Sequence, residues 1–212
     1  MDSKSLNIQV DYWNRVAEQK NFSHPFRFDL LERLIKPVAA ILDYGCGYGR
    51  TCAEFWEHGY SNVVGIDPAA AMIERGQRIY PHLNLLVQSR FKKRTDLDLV
   101  ILFAVLTCVP TDDGQQKIIN EIYQFLKPGG FIYISDMLLQ HDARNIRRYN
   151  AFKNIYNKYG VFELPEGAVL RHHDVKWITE LTRRFQQIHF EEIHLTTMNW
   201  HDAVGFQFIG QK

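Results

Sequence analysis

Residues 38–49, VAAILDYGCGYG, constrain this chain most. A short apolar run over residues 38–43 closes on Asp43 and opens into a loop with glycines at 45, 47 and 49. Glycine accepts positive φ and lets a ligand approach the backbone closely. Residues 50–58 then read as a helix stopped by Gly59. A strand that turns through glycines into a helix is a unit of the open α/β sheet. Such sheets bind ligands beyond the carboxyl ends of their strands, where the winding order reverses.

Downstream, apolar runs keep alternating with segments of helical period, the pattern of a mainly parallel sheet. Residues 62–67 (NVVGID) read as a second strand. Pro68 suits a first helical position, and a helix is expected from there to about Tyr80. Residues 83–87 form a third strand and residues 97–103 a fourth. The fourth is apolar at nearly every position, as a strand covered on both faces should be. Asp112 with Gln115 three residues later resembles a capping box, opening a helix to Leu126. Lys127-Pro128-Gly129-Gly130 ends that helix and turns into a fifth strand, residues 131–135. A helix over residues 174–185, capped by Asp174, precedes two closing strands at 190–197 and 203–210.

The expected fold is therefore α/β: a Rossmann-like, seven-stranded, mostly parallel sheet with helices on both faces. Two segments fall outside the alternation and read as cap elements over one edge of the sheet: residues 1–36 and an insert after the fifth strand, residues 137–173. The insert pairs a basic, aromatic helix (143–159) with a loop, VFELPEGAVLRHHD. A length of 212 residues suits one domain carrying such an insert.

The bulk chemistry excludes several classes. A net charge of +1 supplies no global field toward nucleic acid or membrane. The N-terminus lacks the apolar core of a secretory signal, and the longest apolar run, residues 101–106, is too short to span a bilayer. Cys46, Cys52 and Cys108 form no even-numbered framework and no C-x-x-C pair, so they read as free thiols of a cytoplasmic protein.

A dinucleotide loop would space its glycines G-x-G-x-x-G and seat a pyrophosphate on the helix N-terminus. Here the glycines alternate, position 50 is Arg, and Asp43 ends the strand. That carboxylate repels a pyrophosphate and suits a cationic ligand. Asp67 closes the second strand 24 residues later. It is placed either to accept two ribose hydroxyls or to cap the helix beginning near Pro68, and the roles are compatible.

Taken in order, D-Y-G-C-G-Y-G, V-V-G-I-D-P and L-K-P-G-G before an apolar strand resemble the class I S-adenosylmethionine-dependent methyltransferases. The match covers roughly residues 25–135, with a weaker echo in the last helix and two strands. The resemblance implies S-adenosylmethionine as cofactor and S-adenosylhomocysteine as product. It places Asp43, Gly45 and Gly47 on the methionine and ribose part, Asp67 on the ribose hydroxyls and Pro68 beside the adenine. Phe103 and Ala104 would lie near the methionine end, with Lys127 to Gly130 structural. His-Pro-Phe-Arg (24–27) resembles a segment whose arginine meets the cofactor carboxylate, which makes Arg27 a candidate. Family members often close an N-terminal tyrosine over the cofactor, which favours Tyr12, with Trp13 as a substrate contact. The chain departs from the family twice. Where many members hold the adenine amino group with an acid, it has Gln88 and Ser89. Where many have a histidine after the fourth strand, it reads Leu106-Thr107-Cys108-Val109-Pro110.

Methyl transfer requires a nucleophile held in line with the carbon–sulfur bond, and a base only if the nucleophile arrives protonated with a high pKa. Candidate bases are His141, His172 and His173, with at least one of the last two expected to face solvent. No metal is expected, because adjacent histidines diverge and no further ligand is placed by spacing. In the insert, Arg144, Arg147 and Arg148 share a helix face. They read as a solvated surface or, for Arg144 and Arg148, as a contact to a substrate carboxylate or phosphate.

These features favour methyl transfer to a nitrogen, oxygen or carbon of a small molecule. The alternatives are a peptide or protein acceptor, a non-catalytic cofactor-binding protein, and a nicotinamide-dependent oxidoreductase. The glycine spacing and Asp43 argue against the last. The sequence is silent on oligomeric state.

Overall fold

The computed structural model describes residues 3–20, 26–197 and 201–212, with side chains from residue 9 onward. In chain order the elements are α1 (Ser3–Val16), α2 (Phe28–Leu31), β1 (Ile41–Tyr44), α3 (Arg50–Glu57), β2 (Val63–Asp67), α4 (Ala70–Ile79), β3 (Asn84–Val87) and β4 (Leu97–Phe103). There follow α5 (Asp112–Phe125), β5 (Leu126–Met137), α6 (Ala143–Phe152), β6 (Val161–Glu163), β7 (Val169–Arg171), α7 (Val175–Thr182), β8 (Gln186–Thr196) and β9 (Asp202–Gln211). Seven strands form one sheet in the order β3-β2-β1-β4-β5-β9-β8. The pairs from β3 to β5 are parallel, whereas β9 runs antiparallel to β5 and to β8. The winding reverses between β1 and β4, so a crevice opens at their carboxyl ends.

Strand periodicity sorts side chains into two cores. Leu42, Val100, Leu102, Ile132 and Ile134 pack under Ile119, Ile122 and Phe125 of α5 and Ile178 and Leu181 of α7. Their neighbours Ile41, Leu99, Ile101 and Tyr133 face the opposite way, onto Phe55 of α3 and Leu31 and Ile35 near α2. Helices thus cover both faces, and β4 is buried from Leu99 to Leu102.

Several boundaries differ from the sequence reading, each for a local reason. Val38 is 80% exposed, and β1 begins only at Ile41, where pairing with Val63 starts. Pro68 precedes α4 and is not its first residue; Ala69 is the cap, its N–H donating to Asp67 Oδ1. The residues 127–130 turn lies within β5, where the register against β4 shifts between Leu97 and Leu99. The closing strands start earlier than expected and form a hairpin of ten pairs. Asp174 caps α7 as expected, although the helix ends at Thr182.

The capping box at Asp112 is corrected. Thr111 is the N-cap, its Oγ1 accepting from the Gly114 N–H at 3.2 Å. Asp112 instead pairs with Lys158 and Arg171 of the insert at 2.6 and 2.7 Å. Gln115 turns inward, fully buried. Its amide nitrogen sits 2.8–2.9 Å from Leu106 O, Val109 O and His173 Nε2 and shares its two hydrogens among them, and its oxygen accepts from Trp177 Nε1 at 2.6 Å.

The insert is also more ordered than its sequence suggests. Its helix stops at Phe152, and the expected loop folds into the antiparallel pair β6–β7. Entry and exit lie side by side: the His173 N–H donates to Met137 O, and the Leu139 N–H donates to His173 O. The hairpin meets α1. Gln9 Nε2 donates to Val169 O, and Arg15 donates to Glu166 O at 2.9 Å. Tyr12 and Val16 pack with Ala168, Leu164 and Leu170. This clasp roofs the carboxyl ends of the strands.

Candidate functional site

Under the roof lies a cleft of about 750 Å³, within the size range of small-ligand sites. Its floor is the glycine loop. Gly45, Gly47 and Gly49 have φ of +80°, +56° and +84°, and the Gly45 and Cys46 N–H groups both donate to Ile66 O. A Cβ on Gly45 would come within 2.6 Å of Val105 Cγ2, so the close packing as well as the dihedral demands glycine.

Two carboxyls face this floor, Asp43 fully buried and Asp67 half-buried. Asp43 lies on β1 and accepts from Cys52 Sγ at 3.4 Å. Burial pushes it up to about 7 against the opposing pull of the Cys52 hydrogen bond and the Arg50 charge. Asp67 ends β2. Its Oδ2 accepts from the Gly47 N–H at 2.9 Å and its Oδ1 from the Ala69 N–H at 2.8 Å. Burial raises it to about 6, and the two backbone donors pull the other way. Asp67 thus ties the loops after β1 and β2 together while lining the cleft. Two carboxyls with raised pKa are groups whose ionisation a bound cation would favour. The donor set fits S-adenosylmethionine, which brings a sulfonium, an ammonium and a ribose diol, and opposes a pyrophosphate.

Tyr12, Trp13, Pro68, Gln88, Phe103 and Ala104 also line the cleft. The Tyr12 and Trp13 rings meet edge to face at 5.1 Å. Ala104 has φ +57°, an uncommon value for a residue with a side chain. Gln88 Nε2 donates to the Tyr44 hydroxyl at 2.6 Å, which leaves the Gln88 amide oxygen for another partner. Ser89 is outside the lining. So is Arg27, whose guanidinium is held by both oxygens of Asp29 and by Glu191 at 3.0 Å. His24 and Pro25 of its segment lie outside the described residues.

The histidines are corrected. Neither His172 nor His173 faces solvent: they are 7% and 1% exposed. His173 contacts the Met137 carbonyl through Nδ1 at 2.9 Å, so Nδ1 carries the proton and Nε2 accepts from Gln115. It stands outside the cleft, and burial lowers its pKa to about 3. His172 does line the cleft. The Tyr149 hydroxyl oxygen accepts from the Gln140 N–H at 3.2 Å and from the Arg148 side chain, so both lone pairs are taken and its proton is directed at His172 Nδ1, 2.6 Å away. The neutral His172 ring therefore carries its proton on Nε2. Burial and the Arg148 charge hold its pKa well below the usual range. It is a donor, with no nitrogen free to take a proton. His141 is exposed and outside the lining.

Of the insert arginines, Arg144 and Arg148 line the cleft and Arg147 does not. The sequence reading missed Arg50, which lines the cleft and pairs with Glu54, although its place directly after Gly49 was a usable signal. It also missed the hairpin residues Phe162, Leu164 and Leu170. Among the described residues no group of three or more His, Cys, Asp or Glu side chains could hold a metal. No helix among them is long and apolar enough to cross a membrane.

A family model described as a methyltransferase domain matches residues 17–206. A carboxy-S-adenosyl-L-methionine synthase from Klebsiella pneumoniae is 29% identical over 128 residues, covering 54% of this chain and 50% of that protein. The chain thus matches about half the length of this curated relative. A solved S-adenosylmethionine-dependent methyltransferase from Methanosarcina mazei superposes with a TM-score of 0.80 at 27% identity, covering 91% of this chain and 99% of the other. A Burkholderia thailandensis 1,6-didemethyltoxoflavin-N1-methyltransferase, solved with its substrate and S-adenosylhomocysteine, shares the fold at 16% identity. Its TM-score is 0.60, with 100% of this chain and 82% of the other covered.

Proposed function

Because this chain belongs to the methyltransferase-domain family, we propose that it transfers the methyl group of S-adenosylmethionine to a nitrogen, oxygen or carbon of a small molecule. The observation that carries this reading is the pair of carboxyls, buried Asp43 and half-buried Asp67, facing one glycine-floored cleft at the sheet's winding reversal. Asp67 would hold the ribose hydroxyls and Asp43 the cationic methionine part. Gly45 and Gly47 give backbone access, Pro68 borders the adenine, and the Gln88 amide oxygen suits the adenine amino group. Phe103 and Ala104 stand at the methionine end, under Tyr12.

When bound, the cofactor supplies the electrophile, a methyl group on positively charged sulfur. The chain's own residues orient the acceptor and exclude water, and positioning of this kind contributes about 7–11 kcal/mol. No side chain is required as a base, and His172, holding its Nε2 proton, acts as a donor. The clasp between α1 and the β6–β7 hairpin covers the cleft, which supports a small acceptor over a peptide. We read residues 1–212 as one methyltransferase unit with caps at 1–36 and 137–173. Its unpaired thiols suit the cytoplasm.

The raised carboxyls set a pH dependence. Below about pH 6 both Asp43 and Asp67 hold protons, and a cationic ligand favours their ionised forms. Binding of S-adenosylhomocysteine, which carries an ammonium, should therefore release protons near neutrality and tighten as the pH rises toward about 8. Calorimetry in two buffers of different ionisation enthalpy measures the release. An affinity flat across that range would contradict the placement of the carboxyls.

Incubation with methyl-labelled S-adenosylmethionine and separate pools of metabolites and proteins tests the function. Label in the metabolite pool is expected. Label in protein would instead make a peptide the acceptor. Tight S-adenosylhomocysteine binding with label in neither pool would favour a non-catalytic protein, and preferential binding of NAD would overturn the cofactor. The curated relative favours one further reading, formation of carboxy-S-adenosyl-L-methionine, which mass spectrometry would detect as a cofactor heavier by a carboxyl group.

A further inference from the structure

At the cleft end formed by α6 and the β6–β7 hairpin, the polar chemistry is one-sided. Arg148 lies half-buried with its guanidinium 3.5 Å from the centre of the Phe162 ring. Its Nε is buried and finds no hydrogen-bond partner among the described residues, while the rest of the side chain bonds the neutral Tyr149 hydroxyl. Neither Arg148 nor Arg144 forms an ion pair among those residues, and the nearby Asp142 carboxylate is committed to capping α6 through Asn145. His172 presents the ring whose proton sits on Nε2, packed edge-on against Phe162 at 5.0 Å. A guanidinium taken partly out of water, with its nearest carboxylate committed elsewhere and none ion-paired to it, is costly to hold, and its planar donor fork matches a carboxylate. Leu164 and Leu170, both half-buried, line the cleft and offer apolar surface to whatever carries that charge, while the fully buried Phe162 backs the guanidinium.

We propose that this end is a carboxylate subsite. Arg148 is its principal specificity-determining residue, with Arg144 and His172 beside it, and the methyl acceptor is a small carboxylic acid with an apolar or aromatic body. This rests on the cleft being a methyl-transfer site and names the acceptor class. Arg148 engages the carboxylate, Leu164 and Leu170 take the body, and the nucleophilic atom is left toward the glycine loop. The Tyr149 hydroxyl, donating to His172 Nδ1, keeps the histidine a donor toward the anion.

Benzoate and its neutral isostere benzamide probe the subsite. They are titrated into the full chain saturated with S-adenosylhomocysteine, with binding followed by ligand-observed NMR. Benzoate is expected to bind about tenfold more tightly than benzamide, the scale of one charge-assisted contact. Arg148→Gln should remove that preference and leave S-adenosylhomocysteine binding unchanged, which also reports that the variant is folded. Arg144→Gln, at an exposed position, should reduce the preference by a smaller factor. Equal binding of the two probes, or a benzoate preference that survives in Arg148→Gln, overturns the proposal. If S-adenosylhomocysteine binds to no form of the protein, the cofactor reading falls. The benzoate preference measured on unloaded protein then decides the subsite by itself.

Discussion

Asp67→Ala is expected to weaken S-adenosylhomocysteine binding about a hundredfold or more, roughly 2.7 kcal/mol, from a micromolar starting point near −8 kcal/mol. The side chain acts twice. Its two oxygens hold the Gly47 and Ala69 N–H groups, so it fixes the floor of the cleft before any ligand arrives. The lone pairs left over are the natural acceptors for a ribose diol. Alanine leaves both donors and the diol without partners in a half-buried place that a bound ligand closes off, where each unmade hydrogen bond costs about 1–3 kcal/mol. Asp67→Asn should fall between, because an amide keeps one acceptor oxygen while adding a donor that opposes one of the N–H groups. Calorimetry beside thermal unfolding separates the two roles. An alanine variant that binds within about threefold of the parent would show that the ribose is held elsewhere.

The second large effect concerns stability. Gln115→Met keeps approximate volume but removes every polar contact of a residue with no solvent exposure. Val109 O and His173 Nε2 lose their donor, Leu106 O keeps only the Val109 N–H, and the Trp177 N–H loses its acceptor. A loss of about 3 kcal/mol is expected, because several buried partners are orphaned together. In a chain of this size that corresponds to a melting temperature lower by about 6–12 °C. Urea unfolding and calorimetry measure it. A variant within about 1 kcal/mol of the parent would mean that water replaces the amide and that the network does not anchor α5 to α7 and the insert.

Much of the sheet was legible because its signals are local. Residues 97–103 are apolar at nearly every position, and the glycine loop carries its own backbone requirement at Gly45. What the sequence hid depends on distant partners. The β6–β7 hairpin has three residues per strand around Pro165 and Gly167, a pattern that reads as loop. Its register is supported by packing against α1. Thr111 and Asp112 are both good caps in isolation, and the choice falls to Thr111 because Lys158 and Arg171, 46 and 59 residues away, draw Asp112 aside. The burial of His172 and His173 rests on Tyr149 and Gln115, 23 and 58 residues distant. Arg27 is drawn from the cleft by Glu191, 164 residues away, as well as by its close neighbour Asp29. Composition and spacing carry no trace of such pairings.

The insert's two ends meet where His173 and Leu139 bond across its base, so the chain leaves the sheet and returns at one point. The strand order of the large sheet closes without β6 or β7. In engineering terms, the stretch between Leu139 and His172 is a cassette on a single stem. Exchanging it for another segment of matched stem geometry would change which molecule is recognised while leaving the Asp43–Asp67 floor, and the reagent it holds, in place.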